Sequence, residues 1–427
     1  MELANKLFKG DRVIWIIFMF LFLVSVIEVF SATSTIAYRQ SNFWAPIMRH
    51  ASFLIVGFFS MLVIQNIPCR FLSGLIILLP ISIILLFVTP FIGVSANDAH
   101  RWLDLFGFQF QPSEFAKLSS IVFVAFMLSR RSKFTEKTIF TSILVGVGIA
   151  CFLILPENFS TAVMLFGVCY LMMFIGQVPF KKMAKLTGVL ILSMSLFLLL
   201  LINMPKNIAE HLPKRFETWQ ARIERFFKPD KAEDTNATFK ITDDNFQETH
   251  AKIAIARGGL IGQMPGHGQQ RDFLPQAYSD FIYAIIIEEL GFIGGMGVLA
   301  LYVILMFRVG IIARRCDKLF PKYLVLGCGL LIVIQALANM AVAVDLIPVT
   351  GQPMPLVSRG GTSTVMSCIY FGIILSISRF GAGMGEDIST PAGEIEDTAN
   401  QEDIEDQNEE MKTVEVDISE VLEDNEK

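Results

Sequence analysis

Charge is scarce in this chain: only 18% of its 427 residues are Asp, Glu, Lys or Arg, where a soluble protein of this size carries about a quarter. Cysteine is scarce too. The six (Cys69, Cys151, Cys169, Cys316, Cys328, Cys368) fall in or beside apolar runs with no CxxC spacing. They read as small apolar packers, which excludes a disulfide framework and a zinc site. The ~10-residue alternation of barrel strands is missing as well, so sheet is ruled out. What is abundant is apolar: 53% of residues are hydrophobic, 38 of them Phe, and the mean hydropathy is +0.56.

The apolar residues come in runs, at Val13–Ser31, Ala51–Ile67, Leu72–Val94, Phe115–Leu128, Ile139–Leu155, Ala162–Ile175, Leu186–Met204, Phe281–Phe307, Tyr323–Leu346 and Thr362–Ile377. Most approach the ~20 residues that cross a ~30 Å hydrocarbon core. The two shortest reach spanning length if polar flanks such as Ser113 and Thr161 enter the helix. The first run exceeds the ~7–15 apolar residues of a signal peptide and reads as an uncleaved helix. The expected fold is therefore an all-α integral membrane protein of about ten transmembrane helices.

The net charge of −5 hides a split. From Glu386 onward there are 17 acidic and two basic residues, leaving 23 acidic and 33 basic in the rest, a balance of +10. Alternate short loops hold 17 Lys and Arg, among them Lys9, Arg12, Lys133, Lys182 and Lys318, while the opposite loops hold only Arg39, Arg49, Arg101 and Arg359. The bias predicts that both termini are cytoplasmic. The expected layout is a cytoplasmic N-terminus over 1–12, helices one to seven over 13–204, a large external loop over 205–280 and helices eight to ten over 281–380. An acidic cytoplasmic tail, expected to be disordered, follows over 381–427. Within the loop, Phe216, Trp219, Ile223, Phe226 and Phe227 repeat at helical spacing with basic residues interleaved, the pattern of an interfacial amphipathic helix.

Ionisable residues inside membrane helices cost roughly 2.5–3.5 kcal/mol each on insertion scales, so each is a functional candidate. Lys117 follows Glu114 by three residues and can pair with it on one helix face; a locked helix end and a substrate contact are equal readings. Glu288 and Glu289 lie about two turns from Asp280 and are expected to pair with basic groups such as Lys117 or Arg359, with proton relay the other reading. Asp280 stands where the long loop meets the eighth run. It is either a helix N-cap or a carboxylate placed as general base for a lipid-linked substrate.

Four segments carry a resemblance. Asn97-Asp98-Ala99-His100-Arg101-Trp102-Leu103 with Phe110-Gln111-Pro112-Ser113-Glu114-Phe115-Ala116-Lys117-Leu118 resembles an NGAxRWI…FQPSELAKL signature. Pro156-Glu157-Asn158-Phe159-Ser160-Thr161 resembles PDLGT. Phe273-Leu274-Pro275-Gln276-Ala277-Tyr278-Ser279-Asp280-Phe281-Ile282 with Glu288-Glu289-Leu290-Gly291 resembles LPEAHTDFIFAVIGEELG. Pro348 to Gly361 resembles PTxGLxLPFxSYGG, with Arg359 in place of the tyrosine. In order and spacing these are similar to the SEDS (shape, elongation, division and sporulation) peptidoglycan polymerases, the FtsW branch more than the RodA branch.

The resemblance implies a ten-helix fold that polymerises lipid II into glycan strands at the outer face of the bacterial inner membrane, at the division septum. It implies Asp280 as catalytic base. It assigns Arg101, Trp102, Glu114, Lys117, Glu157, Ser358, Gly360 and Gly361 to substrate binding, with Glu288 and Glu289 as intramembrane polar support. No protein-borne metal or cofactor is expected, and a divalent cation (Mg or Mn) would ride on the substrate pyrophosphate. Implied partners are lipid II, its undecaprenyl lipid, a class B penicillin-binding protein transpeptidase and other division-site membrane proteins, and no nucleic acid. A lipid II flippase and a non-enzymatic scaffold for the transpeptidase are the rival functions; no inverted repeat of broken helices favours a transporter.

Overall fold

Each of the ten apolar runs lies largely within one helix of the computed structural model, which describes residues 8–39, 45–96, 99–105, 108–202, 246–274 and 277–380. The helices are α1 (Arg12–Arg39), α2 (Ala45–Ile64), α3 (Cys69–Ile92, with a 3-10 stretch over Ser73–Ile77), α4 (Pro112–Ser129), α5 (Glu136–Ile154), α6 (Phe159–Ile175) and α7 (Phe180–Ile202). After them come α8 (Phe246–Gly258), α9 (Ile282–Arg314), α10 (Leu319–Ala343) and α11 (Thr362–Phe380). Among the described residues, α1 to α5 and α9 to α11 are long and apolar enough to cross a membrane. Ser113 and Thr161 do enter α4 and α6, bringing these to 18 and 17 residues. The chain is a multi-pass membrane protein. The amphipathic segment around Trp219, the acidic tail, Pro275, Gln276 and the side chain of Arg101 lie outside the described residues.

Local chemistry sets the helix starts. Asp11 Oδ1 accepts from the backbone N–H groups of Val13 and Ile14 at 2.9 and 3.2 Å, capping α1. Thr135 caps α5 by accepting from Thr138 N, and Asn158 caps α6 by accepting from Thr161 N. Pro112 opens α4, where its missing N–H costs nothing. α4, α10 and α11 are mostly buried and form the interior, whereas α2, α3 and α5 bury one face and turn large apolar side chains outward. Glu114 and Lys117 form an ion pair within this interior, at 2.8 Å.

Two features depart from the sequence reading. First, three short strands, β1 (Val94–Ala96), β2 (Ala99–Leu105) and β3 (Phe108–Phe110), form a small antiparallel sheet between α3 and α4. Val94 pairs with Trp102 and Leu103 with Phe110, so the sheet fixes where Trp102 stands. Second, part of the 205–280 stretch is built into the bundle. α8 lays Ala251, Ala254 and Gly258 against α9, so closely that a Cβ on Gly258 would meet Ile287 O at 2.0 Å.

The following turn pairs with α9 through the backbone. α9 breaks at Gly291, whose φ of 74° and ψ of 179° interrupt the helical ladder. The freed groups are taken up by the turn: Gln263 N and Met264 N donate to Glu288 O and Glu289 O at 2.9 Å. Phe292 N donates to Gly259 O at 2.9 Å and Ile293 N to Leu260 O at 3.2 Å. Non-helical backbone at membrane depth is tolerated only where such partners satisfy it.

Candidate active site

At the end of the bundle opposite Asp11 lies a polar cavity of about 520 Å³. Asp280, Trp102, Glu114, Gly360 and Gly361, all candidates from the sequence, stand on its wall. α2 adds Arg49, His50 and Phe53, and the loop before α11 adds Gly351, Gln352 and Arg359. Helix α9 begins at Ile282 with Phe281 at its N-cap and no side-chain cap there. Asp280 is therefore not the cap of α9; its side chain faces the cavity. Ser279 Oγ donates to Asp280 Oδ1 at 3.0 Å, and a Cβ on Gly351 would lie 3.8 Å from Oδ2. Gly351 sits at φ +67°, a conformation that favours glycine.

The backbone around Asp280 is held from below by α10. Asn339 Nδ2 donates to Asp280 O at 3.0 Å, to Gln352 O at 2.8 Å and, more weakly, to Ser279 O at 3.5 Å. One turn away, Gln335 Nε2 donates to Pro353 O at 2.8 Å and its Oε1 accepts from Lys117 Nζ at 3.0 Å. Ser358 Oγ donates to Ser279 O at 2.7 Å and accepts from Met354 N at 2.8 Å. Neither Asn339 nor Gln335 stands out in sequence, because an amide inside an apolar run carries no charge signal.

The predicted residues thus separate by role. Glu114 reaches the cavity wall, while Lys117 is fully buried behind it, held by Glu114 and Gln335. Ser358 is buried and positions the Asp280 backbone. Glu157 is not on the main cavity; its neighbour Asn158 is, and Glu157 lines a small pocket beside Gln111 and Ser113.

Glu288 and Glu289 do pair, but not with Lys117 or Arg359. Arg271 Nη1 is 3.5 Å from Glu289 Oε1, and Arg257 Nε is 4.0 Å from Glu288 Oε1. Backbone N–H groups of Gly266, Gln269 and Gln270 and the Ser31 hydroxyl complete the set. The expected partners were wrong because the true ones lie in the stretch read as wholly external.

Two guanidinium groups give the cavity its positive charge. Arg49 Nη2 donates to Gln109 Oε1 at 3.1 Å. Arg359 sits over the Tyr278 ring at 5.1 Å, and its backbone N donates to Tyr278 O at 2.9 Å. Burial pulls the Arg359 pKa below its ordinary value, Tyr278 opposing and Arg49 adding to the shift. An arginine this basic still keeps its proton, so the cavity joins two carboxyl groups, Asp280 and Glu114, to two cations.

The family model for cell cycle proteins of the FtsW, RodA and SpoVE type matches residues 11–382. The chain belongs to this family. A probable peptidoglycan glycosyltransferase FtsW of Haemophilus influenzae is 32% identical over 380 residues, 86% of this chain and 90% of that one. Its counterpart from Nitrosococcus halophilus is 31% identical over 82% of this chain and 87% of its own. Stage V sporulation protein E of Bacillus subtilis is 30% identical over 88% of this chain and 99% of its own. Among solved structures, a chain of a peptidoglycan synthase complex superposes with a TM-score of 0.67 at 21% identity, covering 87% of this chain and 98% of that one. RodA of Thermus thermophilus superposes at 0.60, also at 21% identity, covering 87% of this chain and 97% of that one. The SEDS fold expected from the four motifs is thus present, and the sequence relatives favour the FtsW side of the family.

Proposed function

We propose that this protein is a peptidoglycan glycosyltransferase of the FtsW type, polymerising lipid II into glycan strands during septal wall synthesis. The observation that carries the reading is Asp280 on the wall of a cavity that also holds Arg49 and Arg359, in a chain of this family. Asp280 accepts the proton of the acceptor sugar hydroxyl as that oxygen bonds to the donor's anomeric carbon. The bond from that carbon to the pyrophosphate oxygen breaks, and undecaprenyl pyrophosphate leaves with the bonding electrons. Arg49 and Arg359 face the negative charge that develops on the leaving group, the charge-stabilising role that fixed cations play best in a secluded site. Glu114 and Trp102 line the space left for the sugars.

Among the described residues no group of three or more His, Cys, Asp or Glu side chains gathers in a metal-holding arrangement. A divalent cation arriving on the substrate pyrophosphate would supply further positive charge there. The loop bias supports placing the cavity on the outer face with both termini in the cytoplasm. Lys9, Arg308 and Arg379 all meet partners at the opposite end, on Asn66 or Asp11. A class B penicillin-binding protein is the expected partner, in keeping with the synthase complex whose chain shares this fold.

The test is purified protein with labelled lipid II, alone and with its class B partner. Glycan ladders support the reading. Protein-dependent movement of lipid II across liposomes without ladders would make the chain a flippase, and neither outcome would leave a scaffold.

A further inference from the structure

The turn after α8 exposes large apolar side chains where an external loop should be polar. Leu260 is 69% exposed, Ile261 77% and Met264 64%, and beside them on α9 Phe292 is 54% and Ile293 65% exposed. The turn is shaped to hold them outward, with Gly259, Gly262 and Met264 all at positive φ. It cannot swing free, because its backbone completes the broken ladder of α9 at Gly291. A Cβ on Gly262 or Gly291 would fall within 2.3 Å of the opposing backbone.

Two rungs between α1 and α9 set the depth of this turn. At one end Arg308 donates to Asp11 at 2.8 Å; at the other the Ser31 hydroxyl donates to Glu289 at 2.5 Å. From Arg12 on to Ser31 is about 29 Å of unbroken helix at ~1.5 Å per residue. That matches the ~30 Å hydrocarbon core, so the Glu289 rung at Ser31 marks its far boundary. Gly291 to Ile293 lie two to four residues inward of Glu289, on the hydrocarbon side of that boundary, with Gly259 and Leu260 hydrogen-bonded to them and Ile261 beside Gly291. The exposed stripe of α9 continues inward through Met296, Val303, Ile304 and Phe307.

We propose that residues 259–264 form a membrane-embedded apolar tip, inserted among lipid acyl chains in the leaflet on the cavity side. The occupant is lipid because the tip is continuous with the lipid-facing stripe of α9 and lies at the same depth. Arg257 and Arg271, bound to Glu288 and Glu289, lie at the boundary just above it. The segment that runs on to Asp280 is therefore anchored to the bilayer only some twenty residues before the carboxylate.

The experiment uses full-length protein in lipid nanodiscs, with a nitroxide at Ile261→Cys and the unlabelled-cysteine parent as blank. Ile304→Cys serves as the lipid control and Lys133→Cys as the aqueous control. Accessibility to oxygen and to a water-soluble nickel chelate is read at each site. The proposal expects the oxygen-to-nickel ratio at 261 to approach that at 304 and to exceed that at 133 several-fold. A ratio like that at 133 would make the tip aqueous and overturn it. Low access to both reagents would mean protein covers the tip, a second copy or another part of the chain, and would overturn it equally. The readout does not involve activity, so it stands or falls apart from the glycosyltransferase reading.

Discussion

Asn339→Ala offers the sharpest test of how Asp280 is held. The Asn339 amide is buried and bridges two strands of backbone, donating at 3.0 Å to Asp280 O and at 2.8 Å to Gln352 O. Alanine strips both carbonyls of a donor in a site where a lost partner costs about 1–3 kcal/mol each, so a loss of about 2 kcal/mol or more in thermal stability is expected. The larger effect should be kinetic. If the Asp280 backbone relaxes by ~1 Å, turnover falls by about 10², while the lipid II concentration for half-maximal rate changes little because no substrate contact is lost.

Gln335→Leu is the matched control. It removes a bond of the same length to the same loop, at Pro353 O, together with the acceptor of Lys117 Nζ, without touching the Asp280 backbone. Steady-state glycan synthesis from labelled lipid II, with thermal unfolding of each variant in the same detergent, separates the two. Equal loss of turnover in both variants, or near wild-type turnover in Asn339→Ala despite lowered stability, would refute the positioning role.

Asp280→Asn should unfold at the wild-type temperature, because Phe281 rather than Asp280 is the N-cap of α9. It should lose about 10²–10⁴ in glycan synthesis, the usual cost of removing a general base; ladders within a few-fold of wild type would send the search for the base elsewhere. Lys117→Met leaves Glu114 buried without its 2.8 Å partner, at a cost of about 3–5 kcal/mol. The double variant with Glu114→Gln should recover much of that loss in an unfolding double-mutant cycle, and additive losses would show that the two residues act independently.

The fold was legible because hydropathy reports the solvent of each segment directly. Each run found its helix, and the polar flanks at Ser113 and Thr161 entered α4 and α6. Trp102, Glu114 and Asp280 were legible through motif and charge. The rest depends on long-range pairing that a linear pattern does not carry. Arg257 and Arg271 look like ordinary loop cations until the turn after α8 brings them to Glu288 and Glu289. Glu157 was assigned to substrate binding through its motif, yet the turn between α5 and α6 presents Asn158 to the main cavity. Gly291 reads as one more glycine in an apolar helix; its break makes sense only beside the backbone of 259–264.

The pairing of α1 with distant parts of the chain constrains the order of assembly. α1 is the first of these helices to leave the ribosome, yet its polar groups are satisfied late. Asp11 waits for Arg308 and Ser31 for Arg271 and Glu289, while Ser25, which meets His50 on the next helix, gains the backbone at Val357 only later. Glu28 is fully buried beneath them with no hydrogen-bond partner for either carboxyl oxygen among the described residues. A nascent chain must therefore keep a helix with an unpaired acid in or near the bilayer while nearly three hundred further residues are synthesised. Its earliest helix is among the last to lock, so truncation anywhere before α9 should leave α1 poorly retained, however apolar it is.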